Sequence, residues 1–328
     1  MTNTWTGRRA LGAGTVSALG FGCWAIGGPY TDNRGNPVGW GQVDDDETVR
    51  AVHAGLDLGV TFFDTADSYG AGHSETVLGR ALRGRRDRVA IASKWGNTFD
   101  PATRTMTGTD SSPEYVRRAL RATLDRLGTD YLDLYQLHLQ PSAAEAEPLF
   151  AVCEELVDEG LVRGYAWSID DPERVAAVAG APHCTAVQHE LSVLHDAPEM
   201  LELCDRFELA SVNRTPLAMG LLGRRTAQRP TSATDIRSVP PDWLRFFRDG
   251  VPTPEWQARV AAVRDILTSD GRTLAQGALA WVWARGDRTI PIPGFRTVAQ
   301  AEENAAALAL GPLRSEQLAE IRAVLSAV

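Results

Sequence analysis

The 328-residue chain almost lacks lysine: its Lys and Arg total 33, and Lys94 alone is lysine. Cysteine is sparse as well. Cys23, Cys153, Cys184 and Cys204 form no CxxC pair and no framework spacing, which excludes a disulfide scaffold and leaves reduced thiols. No apolar run reaches the length of a membrane span. The opening MTNTWTGRRALGAG has no apolar core of a secretory signal, so a cytoplasmic protein is expected. Net charge is −9 and the basic residues are scattered, which argues against nucleic-acid and membrane-surface partners. The six histidines show no ligand-like clustering, so no metal is expected. Fixed-period repeats and low-complexity tracts are missing too.

What remains is a chain 44 % hydrophobic and long enough for a large core. Short apolar runs alternate with amphipathic stretches. The runs at 18–22, 61–64, 88–94, 131–138, 162–168, 185–188, 209–214 and 289–292 read as buried parallel strands. Helical patterns fall between them. Val49, Val52 and Leu56 share a stripe over 45–58. The stretch 113–127 opens with SSPE and stops at Gly128, and 143–159 stops at Gly160. Residues 170–179 open with DDPE, and 297–308 follow a Pro-Gly turn. Eight strand–helix units in a chain of this size predict a single (β/α)8 TIM barrel spanning 1–328. An open dinucleotide-binding sheet would show GxGxxG at an early turn, and GFGCWAIGG lacks that spacing. Three long segments, 27–44, 96–111 and 223–255, follow strand ends and read as loops at the C-terminal face. The last carries Trp243, Phe246 and Phe247, which suit a lid or pocket wall.

In a barrel, residues that end adjacent strands converge at the mouth. Strand two ends in Asp64, with Tyr69 in the following loop. Strand three ends in Lys94 and strand four in His138. Lysine supplies a compact ammonium where arginine would be planar and bulky. A carboxylate beside it keeps it charged and oriented. An ammonium near a phenol is expected to lower the phenol's pKa from about 10. Such a tyrosine can protonate a carbonyl oxygen while histidine hydrogen-bonds the same oxygen. The hydride for that reduction must come from a nicotinamide cofactor.

The motifs FFDTADSYG (62–70), SETVLGRAL (74–82), ASKWG (92–96), DLYQLH (133–138), PLAMGLL (216–222) and IPGFRTVAQAEEN (292–304) together resemble the aldo-keto reductases. The likeness extends from Arg9 to Asn304, and is nearest to bacterial members similar to potassium-channel β subunits. It implies a catalytic tetrad of Asp64, Tyr69, Lys94 and His138, with Tyr69 as general acid. It implies that Ser168 and Gln188 hold the nicotinamide carboxamide, with Gly22, Trp24 and Asp64 also near the cofactor. Pro216, Leu217, Gly220 and Leu222 would line the pyrophosphate and ribose path. Gly294, Arg296, Gln300 and Asn304 would bind the adenosine end. Arg296 could pair with a 2′-phosphate, which favours NADPH over NADH.

Two positions depart from the family pattern. Ser168 is followed by Ile169 where asparagine is common. Arg214 precedes Thr215-Pro216-Leu217 where an aromatic residue often stacks on the nicotinamide; its guanidinium could stack there or reach phosphate. Trp24, Tyr30 and Trp95 are expected to shape the substrate pocket. The activity so implied is NADPH-dependent reduction of an aldehyde or ketone, with a small-molecule carbonyl as partner and the oligomeric state open. Two alternatives stand beside it. One is an NADPH-binding regulatory or redox-sensing subunit with little turnover. The other is a barrel isomerase or aldolase with Lys94 as Schiff-base nucleophile.

Overall fold

A computed structural model describes residues 5–223 and 232–327. Eight parallel strands occur at Gly20–Gly22 (β1), Phe62–Asp64 (β2), Ala90–Trp95 (β3), Leu134–Leu137 (β4), Tyr165–Ser168 (β5), Cys184–Glu190 (β6), Ala210–Arg214 (β7) and Thr289–Pro291 (β8). They pair in chain order. The edges meet where Gly22 bridges Gly294 and its N–H donates to the Pro293 carbonyl at 3.0 Å. A Cβ on Gly22 would lie 2.6 Å from the Ile292 carbonyl oxygen, so glycine is what lets the seam close. Closure removes both sheet edges, and the expected (β/α)8 barrel is the observed fold.

Helices α1 (Asp45–Asp57), α2 (His73–Leu82), α3 (Pro113–Leu127), α4 (Ala143–Asp158), α5 (Pro172–Ala176) and α6 (Pro198–Arg206) follow the first six strands in turn. Helices α7 (Pro254–Leu267) and α8 (Leu274–Ala284) separate β7 from β8, and α9 (Val298–Ala306) and α10 (Ser315–Ser326) follow β8. The cap signals act as their chemistry dictates. The Ser112 hydroxyl accepts from the Tyr115 N–H, and Gly128 ends α3 in the left-handed region. Ser142 and Glu145 form a reciprocal capping box on α4. Helix α5 is shorter than the pattern over 170–179, because Gly180 and Pro182 favour a turn immediately downstream.

The long segments contain structure that their polar composition concealed. Within 96–111, Asn97–Asp100 and Thr105–Thr109 pair as an antiparallel hairpin, so this is no plain loop. Of the segment 223–255, residues 224–231 lie outside the described residues; Phe247–Arg248 and Val251–Pro252 form a second hairpin. A third hairpin, Arg8–Leu11 with Gly14–Ser17, precedes β1 and carries Leu11 and Val16 onto the barrel interior.

The interior is layered. Phe62, Leu134, Ala186 and Ile290, from β2, β4, β6 and β8, belong to one apolar cluster with Ala92, Ala166 and Ala210 from the strands between. Side chains alternate along a strand, so the next inward positions on β2, β4 and β6 are Asp64, Gln136 and Gln188. The barrel is thus apolar below and polar at its C-terminal end, all three of those residues being buried.

The loop after β2 is pressed against the turn after β1. Gly70 has φ +63°, and a Cβ there would lie 1.9 Å from the Gly27 carbonyl oxygen. Gly128 has φ +64° but nothing within 4 Å of its would-be Cβ. Gly128→Ala is therefore expected to cost only the left-handed backbone penalty, about 1–2 kcal/mol. Gly70→Ala adds a backbone clash and is expected to cost several kcal/mol, roughly 3 or more. Urea unfolding of the two variants measures the difference.

Candidate active site

Lys94 leaves β3 pointing into the barrel and is fully buried. Its ammonium has three hydrogens and three acceptors: Asp64 Oδ2 at 2.6 Å, the Thr65 carbonyl at 2.9 Å and the Tyr69 hydroxyl at 3.1 Å. It also lies 4.8 Å from the centre of the Tyr69 ring. Burial alone works against the charged amine, but Asp64 and Tyr69 outweigh it, and the Lys94 pKa stands above the ordinary lysine value. A saturated, charged ammonium is no nucleophile, which removes support for Schiff-base chemistry.

The other oxygen of Asp64 is also held. Gln136 Nε2 donates to Oδ1 at 2.8 Å and Gln188 Nε2 at 2.7 Å. The two amides touch each other as well, at 3.2 Å. Gln136 was absent from the residues expected in the site. Its signal was present: it lies two positions before His138, and period-two alternation puts both on the inward face.

Tyr69 differs from its expected electrostatics. Burial raises its pKa; Lys94 pulls the other way but does not prevail, and the phenol stands above its ordinary value. The expectation of a lowered phenol pKa is corrected accordingly. The site was read from charge alone, and desolvation of the phenolate is the larger effect. His138 sits edge-on to Tyr69, with ring centres 6.1 Å apart. Burial first, then Lys94 and Arg214, push its pKa down to about 3, so the imidazole is neutral. The Asn97 amide lies 3.4 Å from its Nδ1. With Asn97 donating, Nε2 carries the hydrogen.

An aromatic array leads outward from Tyr69. Trp24 stacks on it at 6.0 Å, and Trp40 and Trp243 contact Trp24 at 5.4 and 6.3 Å. Tyr30 is buried and its hydroxyl accepts from the Trp24 indole N–H at 2.9 Å. Trp243 is 56 % exposed while Leu244, Phe246 and Phe247 beside it are buried, and Arg245 is tied to Glu190 at 2.6 Å. The segment is anchored, and it presents Trp243 at the mouth. Trp95 is different. It follows Lys94 on β3, so it faces the helix layer and packs on Tyr135. Its expected place in the substrate pocket is corrected for that reason.

The positions expected around a cofactor surround the same end of the barrel. The Ser168 hydroxyl, at the end of β5, donates to Gln188 Oε1 at 3.4 Å. Arg214, at the end of β7, is ion-paired with Asp170 and lies 3.9 Å from Glu190. Pro216 and Leu217 lie in a tight segment in which Thr215, Ala218, Met219 and Gly220 all take positive φ. The Leu217 carbonyl accepts from Gly220 and Leu222. Among the described residues, Thr215 Oγ1 is buried there without a hydrogen-bond partner. Beyond the seam, the Arg296 N–H donates to Gln300 Oε1 at 2.8 Å and Asn304 Nδ2 to the Gly294 carbonyl at 3.3 Å. Gln300 and Asn304 therefore brace the turn that enters α9. One Arg296 guanidinium nitrogen donates to the Trp40 carbonyl at 2.6 Å.

Residues 18–326 match the Aldo/keto reductase family. The chain belongs to that family. The aldo-keto reductase yakc of Schizosaccharomyces pombe, designated as using NADP(+), is 30 % identical over 92 % of this chain and 86 % of its own length. The chloroplastic pyridoxal reductase of Arabidopsis thaliana is 31 % identical over 94 % of this chain and 83 % of its own. Among solved structures, an aldo-keto reductase from Klebsiella pneumoniae in complex with NADPH is 28 % identical with a TM-score of 0.69, covering 97 % of this chain and 95 % of its own. This aldo-keto reductase is therefore a member of an oxidoreductase family. No helix among its described residues is long and apolar enough to cross a membrane.

The neutral histidines make stability pH-dependent. His138 has a folded pKa of about 3 and His189, also buried, about 4. Unfolded histidine binds its proton near pH 6.5, so below that pH the unfolded chain holds more protons and the folded state loses stability. Between pH 7 and pH 5 each histidine is expected to remove on the order of 2 kcal/mol. Urea unfolding at the two pH values tests this, and His138→Gln should reduce the loss by its share.

Proposed function

We propose that the chain is a single-domain barrel enzyme that reduces an aldehyde or ketone to an alcohol, with NADPH as hydride donor and Tyr69 as general acid. The observation that carries this reading is the buried Lys94 ammonium, shared between the Asp64 carboxylate and the Tyr69 hydroxyl. Its relatives support it: one is designated as NADP(+)-using, and one solved neighbour holds NADPH.

The residues present suit such a cofactor by the chemistry of their donors. Arg296 stands at the entry of α9, where a helix N-terminus favours phosphate. The unpartnered Thr215 hydroxyl and the turned backbone from Thr215 to Gly220 lie beside the barrel mouth. Ser168, Gln188, Arg214, Pro216, Leu217, Gly220, Leu222, Gly294, Arg296, Gln300 and Asn304 would hold the cofactor, with Gly22, Trp24 and Asp64 beside it. When bound, the cofactor supplies a hydride to the carbonyl carbon.

The chain's own residues do the rest. Tyr69 accepts a hydrogen bond from Lys94 and keeps its own hydrogen for the substrate oxygen. Its elevated pKa holds the proton until negative charge develops on that oxygen. Lys94 then stabilises the phenolate left behind, and Asp64 balances the ammonium. Neutral His138 donates from Nε2 to the same oxygen. Trp24 and Trp243 provide flat apolar walls that suit an aromatic or medium-sized carbonyl, and pyridoxal, named for one relative, is an aromatic aldehyde.

Tyr69→Phe is expected to reduce kcat with 4-nitrobenzaldehyde by about 10²–10⁴-fold. Its NADPH affinity, read by tryptophan fluorescence, should stay near that of the parent. Near-parental turnover would remove Tyr69 from the mechanism. Arg296→Ala should weaken NADPH binding by about tenfold or more and leave NADH nearly unchanged; equal losses for both would remove the 2′-phosphate role.

A further inference from the structure

The polar layer at the top of the barrel holds more than the four residues to which the proposed chemistry assigns roles. Gln136 and Gln188 reach Asp64 from β4 and β6, on opposite sides of β5, and both donate to Oδ1. Oδ2 accepts from Lys94. All four side chains are buried, so no water substitutes for a missing donor. A buried carboxylate left short of donors is costly and moves to satisfy itself elsewhere.

We infer that Gln136, with Gln188, is a positioning residue for the reduction: it clamps Oδ1 so that Oδ2 stays on Lys94 and Lys94 stays on Tyr69. The inference rests on the reductase reading above. The Gln136 side chain hydrogen-bonds Asp64 and Gln188. It acts on the phenol at two removes. Without Gln136, Oδ1 keeps a single amide donor, Gln188. The Gln136 side-chain carbonyl in turn orients Gln188, so losing Gln136 loosens both donors.

The consequence is read in the pH profile. The groups facing Lys94 are Asp64 and Tyr69, with Cys23, Asp67 and His138 around them and Arg214 beyond the phenol. Asp64 is the anion among them that bonds the ammonium. When its grip slackens, Lys94 gives up its proton at lower pH, and the phenol loses its stabilising cation there.

The test uses Gln136→Met, which preserves length and removes both donors. The expected result is a fall in kcat of about tenfold with 4-nitrobenzaldehyde, and an alkaline limb of kcat/KM displaced to lower pH. Gln136→Asn, which keeps the amide and retracts it by one methylene, is expected to move the same quantities in the same direction if the methionine variant does not fold. A folded variant with parental kcat and an unmoved alkaline limb overturns the inference. So does a fall in kcat with the limb in place, since that marks a merely structural role. A parent enzyme that reduces no carbonyl overturns the reductase reading instead, and the two failures are told apart by the parent alone.

Discussion

The ion pair between Lys94 and Asp64 is the constraint around which the rest of the site is built. Two charges are withdrawn from water at the centre of the barrel mouth, and such a pair is tolerable only when its remaining donors and acceptors are satisfied. Here they are: the ammonium spends all three hydrogens, and the carboxylate takes donors on both oxygens. This arrangement also explains why a lysine, the single one in the chain, stands here. A guanidinium is a planar fork, too wide for a pocket that must place one charge between a carboxylate and a phenol.

Satisfying that pair requires strands distant in sequence. Asp64 comes from β2, Lys94 from β3, Gln136 from β4 and Gln188 from β6. Only a closed barrel directs all four to one point. The apolar layer beneath, from Phe62 to Ile290, seals the site from the N-terminal side, where Leu11 and Val16 add a plug. Above it, the loops join: Trp40 bridges Asp235, and Thr31 bridges Thr105. The result is a low-dielectric chamber, which strengthens each remaining hydrogen bond and penalises each uncompensated charge.

That same dielectric sets the protonation states. Burial lifts the Tyr69 phenol and depresses His138 to about 3, so both are neutral near pH 7. A lowered tyrosine pKa would have made it a better acid but a less secure holder of its proton. The arrangement instead keeps the phenol protonated, with the Lys94 ammonium beside it.

Much of this was legible in the chain. The eight strands, the cap at Ser112, and the convergence of Asp64, Tyr69, Lys94 and His138 follow from apolar runs, turn residues and the rule that strand ends share a barrel mouth. Those are local patterns, and local patterns survive in one dimension. Three things were not legible. The hairpin at 97–109 is threonine-rich and half exposed, so alternation is weak there. Trp95 needed the direction of its strand residue, which depends on Lys94 pointing inward. Gln136 was legible as an inward position but not as a partner of Asp64, because nothing nearby in sequence tells whether a buried amide has a partner 72 positions away. The sequence by itself determined the barrel, its order of strands and the chemical kinds of group at its mouth. Tertiary structure alone decided which oxygens meet which hydrogens and whether burial or a neighbouring charge governs the phenol, since both depend on distances between strands and on the water that closure expels.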